Sequence, residues 1–298
     1  MASDYVRIES PAALKKMFYL VGFSGHEEMS RLFSFTLELR SQQQDIDPKD
    51  VIGQKVTFSV GYTDQQQAAQ RRYFNGYVSR LTAGGSETGN RLYQAEVVPW
   101  LWFLTRKSNC RIFSEKKVPA ILTEVFDGCK FSPQYELKLS AGDYAQWTYC
   151  VQYRETDFNF VSRLMEQEGI FYYFEHSQDD HKLVLCDKTQ HYHDSGKTVK
   201  YEYTFAGGGA VAKSETISKW VHQYQFVAGA YAQTDYNFEK YPPQANQHPD
   251  DPLLKTKTAG KGRAAQFTHA ADHELFDYPA ECEKIEDADV CTQRYLEE

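Results

Sequence analysis

Within residues 31–41, RLFSFTLELRS, positions 33–40 alternate without exception: Phe33, Phe35, Leu37 and Leu39 are apolar, and Ser34, Thr36, Glu38 and Arg40 are polar. Successive side chains of a strand point to opposite faces, so this pattern specifies a strand with one dry and one wet face. Val56, Phe58 and Val60 repeat it. RRYFNGYVSRL and RLYQAEVV flank the polar, glycine-rich TAGGSETGN, which reads as a hairpin loop between antiparallel strands. IDPKDVI (46–52) reads as a turn with one helical turn after Pro48. Several short strands at this spacing predict a barrel or sandwich over residues 1–105.

After Pro99 the texture changes. Val118, Ile121, Leu122 and Val125 have helical spacing, with Pro119 in the first turn and Gly128 at a C-cap position. A second helix is predicted from Thr156 to Gln167, where Phe158, Phe160, Val161, Leu164 and Met165 form a wide apolar stripe ended by Gly169. GIFYYFEH and HKLVLCD follow as strands, giving an α+β insertion over 106–198. Strands return over 199–279 (KYEYTF, then residues 215–239), with a proline-bearing loop from Tyr241 to Gly262 and a helix at Ala264–Glu274. LFDYP reads as extended, and a helix is expected at Glu281–Leu296. The fold class is thus mainly β with an α+β insertion.

The 298 residues carry 33 Lys and Arg against 41 Asp and Glu, a net charge of −8. Residues 272–298 alone hold ten acids and two bases, so the body is neutral and lacks the basic footprint of a nucleic-acid binder. No apolar run reaches the roughly 18 residues of a membrane span, and MASDYVRIES lacks the apolar stretch of a signal peptide. Six dispersed cysteines (110, 129, 150, 186, 282, 291) make neither a disulfide scaffold nor a zinc ribbon, and buried thiols are expected.

The search for chemistry is mostly negative. Gly22 to Gly25 starts like a nucleophile elbow, but His26 stands where its last glycine belongs. Gly196, Lys197 and Thr198 imitate the end of a phosphate loop whose first glycine would fall at His191, and Gly207, Gly209 and Ala212 fit a loose dinucleotide pattern with no helix behind it. His191 with His193 (near Cys186), and His269 with His273 on a helical face, are each half of a metal site. Surface histidines account for them better. The acid pairs Glu27–Glu28, Asp179–Asp180 and Asp250–Asp251 read as solvated loops. No catalytic, cofactor-binding or metal residue is therefore assigned, and no cofactor is expected.

Eight stretches nevertheless carry a family likeness: residues 31–41, 46–60, 72–81, 93–113, 149–176, 183–187, 233–240 and 275–281. In order, they resemble the N-terminal hub region of VgrG, the spike protein of the bacterial type VI secretion system. Ala280 stands where the family more often has glycine. The resemblance implies two tail-tube-like β-barrel domains per chain (1–105 and 199–279). A homotrimer would then present quasi-sixfold symmetry to a hexameric Hcp tube, with baseplate components, a needle and effector proteins as further partners. Exposed sheet edges would pair with neighbouring chains. Residues 280–298 would be an acidic connector towards a needle domain, splayed by like-charge repulsion in the isolated chain. Assembly in the cytoplasm and expulsion by contraction follow, with no enzymatic role. Aromatic PWLWFL serves as core or interface anchors, core being favoured. The alternatives are the tail hub of a contractile phage or related injection particle, and a cell-wall hydrolase with a dispersed site.

Overall fold

A computed structural model describes residues 5–63, 69–87, 89–140, 144–188, 202–203, 216–217, 220–236, 253–259, 267–279, 289–290 and 292–293. The chain divides into two compact units, residues 1–165 with 170–193, and residues 166–169 with 194–298.

In the first unit, β1 (Val6–Ser10), α1 (Ala12–Met17), β2 (Tyr19–His26), β3 (Ser34–Ser41), β4 (Lys55–Thr63), β5 (Ala69–Glu87) and β6 (Asn90–Val98) follow in order. The strands form one antiparallel sheet with the order β1-β4-β5-β6-β3-β2. As the alternation in residues 31–41 requires, Phe35, Leu37 and Leu39 of β3 are buried, together with Phe33, Val56, Phe58, Phe74, Tyr93 and Val97. Their rings make edge-to-face and stacked contacts, Phe58 on Phe74 at 5.2 Å among them. α1 adds Leu14, and Phe18 follows it into the same core.

A closed barrel is not what forms. The edge strands β1 and β2 lie alongside each other with no hydrogen-bonded ladder between them. Each carries a bulge, between Ile8 and Ser10 and between Leu20 and Gly22, and bulges bend a strand out of register. The glycine-rich stretch is not a loop either. β5 and β6 run out to Glu87 opposite Asn90, Gly89 turns the chain at φ 80°, and Gly84 and Gly85 fall in the irregularity between Ala83 and Ser86. Proline-led Pro48–Asp50 makes the expected single 3-10 turn, capped by the Asp47 carboxylate accepting from the Lys49 N–H.

Gly76 shows how tightly β5 packs: a Cβ there would meet Val97 Cγ1 at 2.6 Å and the Val98 carbonyl oxygen at 2.9 Å. Gly76→Ala should therefore lower stability by about 2 kcal/mol through overpacking, read as a shift of the urea midpoint at unchanged slope.

The unit continues through a 3-10 stretch (Trp100–Arg106), β7 (Ser108–Lys117), α2 (Val118–Asp127), β8 (Tyr135–Lys138), β9 (Gln146–Thr156), α3 (Asp157–Glu168), β10 (Phe171–His176) and β11 (His181–Cys186). Both helices fall where the spacing places them. Gly128 caps α2 in a right-handed conformation, so its glycine freedom is unused there, whereas Gly169 after α3 has φ 66°. Trp100, Leu101, Leu104, Val118, Ile121, Leu122, Phe126, Phe160, Val161 and Leu164 form a second core, which makes PWLWFL chiefly a core segment. β7 and β9 form a two-stranded ribbon, and β10-β11-β8 a three-stranded sheet.

In the second unit, β12 (Glu202–Tyr203) pairs in parallel with β13 (Thr216–Ile217), and β14 (Ala230–Tyr236) lies between β15 (Leu253–Ala259) and β16 (Glu274–Asp277). No closed barrel occurs among the described residues. Three expectations are corrected here. Residues 220–228 are not strand. The supposed loop contains β15, whose backbone completes the β14 ladder. Residues 267–272 form turns and a short 3-10 segment (Ala270–Asp272) rather than a helix. In the acidic connector, Asp289, Val290, Thr292 and Gln293 are helical, and the remainder of 280–298, Ala280 included, lies outside the described residues.

Candidate functional site

Two polar clusters in the first unit went unseen in the sequence. The first joins β4 and β5 to the β10–β11 hairpin. The Trp100 backbone N–H donates to His181 Nε2 at 2.9 Å. A backbone N–H can only donate, so Nε2 must be the unprotonated nitrogen and Nδ1 must carry the hydrogen. Nδ1–H then donates to Asn75 Oδ1 at 2.8 Å, which turns the Asn75 amide so that Nδ2 donates to Thr57 Oγ1 at 2.7 Å. In parallel, the Asn75 N–H donates to His176 Nδ1 at 3.1 Å, and His176 Nε2–H donates to Glu27 Oε1 at 3.0 Å. Arg72 reaches Glu27 from β5 at 3.5 Å, and Lys55 reaches Asp180 at 2.9 Å. The hydrogen bond from His176 holds the Glu27 carboxyl below its usual range. Burial pushes the His181 imidazole down to about 3. His181, Asn75 and Thr57 are fully buried, and their bonds are satisfied by one another.

The second cluster sits where α3 begins. Asp157 Oδ1 accepts from Arg111 Nη2 at 2.7 Å and from Gln152 Nε2 at 2.8 Å, Arg111 Nε donates to Gln152 Oε1, and Lys107 lies 3.5 Å from Oδ2. Asp157 also places a negative charge in the first turn of a helix, where the macrodipole favours it. Both clusters are turned inward; in the second, Asp157 Oδ2 is buried without a hydrogen bond and faces only the Lys107 ammonium. This is the chemistry of joints rather than of a substrate site.

The sequence candidates scatter. Gly22 to His26 lie along strand β2, where a Cβ at Gly25 would strike the Phe35 ring, so no elbow exists. Glu27 pairs with His176 and Arg72, Glu28 with His26 and Arg31, and Asp180 with Lys55, so these acids are structural partners rather than idle loop charges. His269 has φ 68° and His273 is extended, so the helical face that would join them is absent; His269 bonds Asp272 instead. Of the described cysteines, Cys150 and Cys186 are buried, Cys129 half-buried and Cys110 exposed, the last against expectation. His191, His193, Gly196, Lys197, Thr198, Gly207, Gly209, Ala212, Asp250, Asp251, Cys282 and Cys291 lie outside the described residues. Among the described residues no three His, Cys, Asp or Glu side chains gather as a metal site, and no helix is long and apolar enough to cross a membrane.

What the surface does offer is exposed apolar area, on the β7–β9 ribbon and on residues 220–227 with β16. The chain belongs to the phage tail baseplate hub (GPD) family, which it matches over residues 26–298. Within that class it is similar to the type VI secretion system spike proteins VgrG1c and VgrG1b of Pseudomonas aeruginosa, at 36% and 34% identity over 98% of this chain. The chain spans about 37% of the length of each. Its fold resembles that of the E. coli c3393 protein, described as a component of the type VI secretion system similar to the T4 tail proteins gp27 and gp5 (TM-score 0.53, 20% identity, 63% of this chain and 50% of that one). It also resembles a tail protein of Neisseria meningitidis (TM-score 0.51, 9% identity, 98% and 75%).

Proposed function

We propose that the chain is the base of a type VI secretion spike: a non-enzymatic, homotrimeric adaptor that links a hexameric Hcp tube and the baseplate to a needle and its effectors. The observation that carries this reading is the 36% identity to a VgrG spike protein sustained over 98% of the chain. In this reading residues 1–105 and 199–279 are the two tube-like β domains, 106–198 an insertion and 280–298 the connector. The spike assembles in the cytoplasm and leaves by contraction. Inward-turned polar joints suit a structural part, and its binding energy is spread over broad contacts rather than focused in a pocket. Native mass spectrometry tests the assembly: a species at three times the 34.4 kDa chain is expected, and a strict monomer at high concentration refutes self-trimerisation of this segment. The family description keeps a second reading, the hub of a phage tail or related particle. Neighbouring genes for tube, sheath and ATPase, as against capsid, separate the two.

A further inference from the structure

The β7–β9 ribbon is patterned the wrong way round for a surface. Its register sets Cys110 opposite Tyr153, Ile112 opposite Val151 and Ser114 opposite Tyr149, so these six share one face. Phe113, Cys150 and Gln152 on the other face are buried in or against the core. The outward face should be polar, yet Ile112 is 58% exposed, Tyr149 58% and Tyr153 64%, with Val151 beside them. Apolar side chains on both faces of a strand are the pattern of a sheet covered on both sides.

The ribbon also carries unneutralised cations. Of the six Lys and Arg in residues 106–117 and 146–156, Lys107 and Arg111 pair with Asp157 and Lys116 with Glu124. Arg106, Lys117 and Arg154 have no carboxylate partner among the described residues. Arg154 is the extra residue of a bulge, at φ 53°, and its guanidinium lies over the Tyr153 ring. A matching surface exists on the same chain. β16 is an edge strand whose four residues are all exposed. It presents Leu275 and Phe276, followed by Tyr278, within Asp272–Pro279, a segment of three acids and no Lys or Arg.

We infer that the β7–β9 ribbon of one copy docks against the Asp272–Pro279 edge of a second copy, aromatic side chains meeting at the centre and Arg106, Lys117 and Arg154 meeting the acids at the rim. The contact joins two different patches, so it is heterologous, the kind of contact from which a ring such as a trimer is built and a twofold pair is not. It rests on the homo-oligomeric reading above and specifies its interface. Aromatic groups at a centre depleted of charge, with a polar and charged rim, are the composition that such contacts use.

Cys110, on the outward face, supplies the probe. The 298-residue chain with Cys110 intact is mixed with tagged chain carrying Leu275→Cys and Cys110→Ser, then treated with a short bismaleimide. A cross-link between the two chains is expected, and its loss when Leu275 is left intact. A companion variant, Ile112→Thr with Tyr149→Ser and Tyr153→Ser, should stay folded by circular dichroism and lose oligomer mass. If the oligomer forms but no mixed cross-link appears, this interface is wrong while the hub reading stands. A cross-link confined to single chains overturns it as well. A chain that is monomeric at every concentration overturns both this contact and the trimer of this segment.

Discussion

Lowering the pH from 7 to 5 should remove about 2 kcal/mol from the stability of the first unit, most of it through His181. In the folded protein its imidazole is held neutral, with a pKa near 3 against 6.5 in the unfolded chain. Below 6.5 the unfolded state therefore binds a proton that the folded state refuses. Stability falls by about 1.4 kcal/mol per pH unit from 6.5 downward, and the loss levels off near pH 3. Glu9 and Glu27 are both depressed from 4.5, so what they contribute is present above that value and is lost only below it. The window from pH 6.5 to 4.5 thus separates the His181 contribution from those two carboxylates. Urea unfolding across this window measures the slope. His181→Leu should cost about 2 kcal/mol at pH 7, by stranding the Asn75 carbonyl and the Trp100 N–H, and should flatten the slope. An undiminished slope in that variant would show that another group is titrating.

Asp157→Ala is expected to destabilise the first unit by about 3 kcal/mol. The side chain is buried, and its removal leaves Arg111, three-quarters buried, without its carboxylate and Gln152 Nε2 with only the Glu155 carbonyl as acceptor. Arg111→Ala should cost less, since Lys107 still lies near the carboxylate. Pairing both substitutions should restore part of the loss, because an emptied site is cheaper than half of an ion pair. A double-mutant cycle by thermal unfolding measures this, and strict additivity would show that the two groups do not interact.

The local elements were legible wherever one rule governs them. Period-two alternation gave β3, and a 3.6-residue stripe with stop residues gave α2 and α3. The hidden parts depend on distant partners. HKLVLCD reads as a strand, but nothing in it says that His181 will be buried on Asn75, 106 positions away. Asp157 reads as a helix-opening acid, and only the β7–β9 register brings Arg111 to it. YCVQY alternates apolar residues on both faces, a signal present in the letters that becomes readable only once the ribbon is seen to have an open side. The glycines of 84–85 misled because glycine marks bulges as well as turns. β15 escaped because LLKTKTA sits inside a polar, proline-bearing stretch, and the backbone ladder to β14 that places it is a long-range pairing.

The seam between β1 and β2 bears on how such a wall carries load. The ladders from β1 round to β2 make it stiff along the hydrogen-bonding direction, but at the seam only side chains such as Ile8 and Leu20 hold the two edges together. Any give in this sheet is therefore expected at the seam, where apolar surfaces can slide without breaking a backbone hydrogen bond, and not within the ladders.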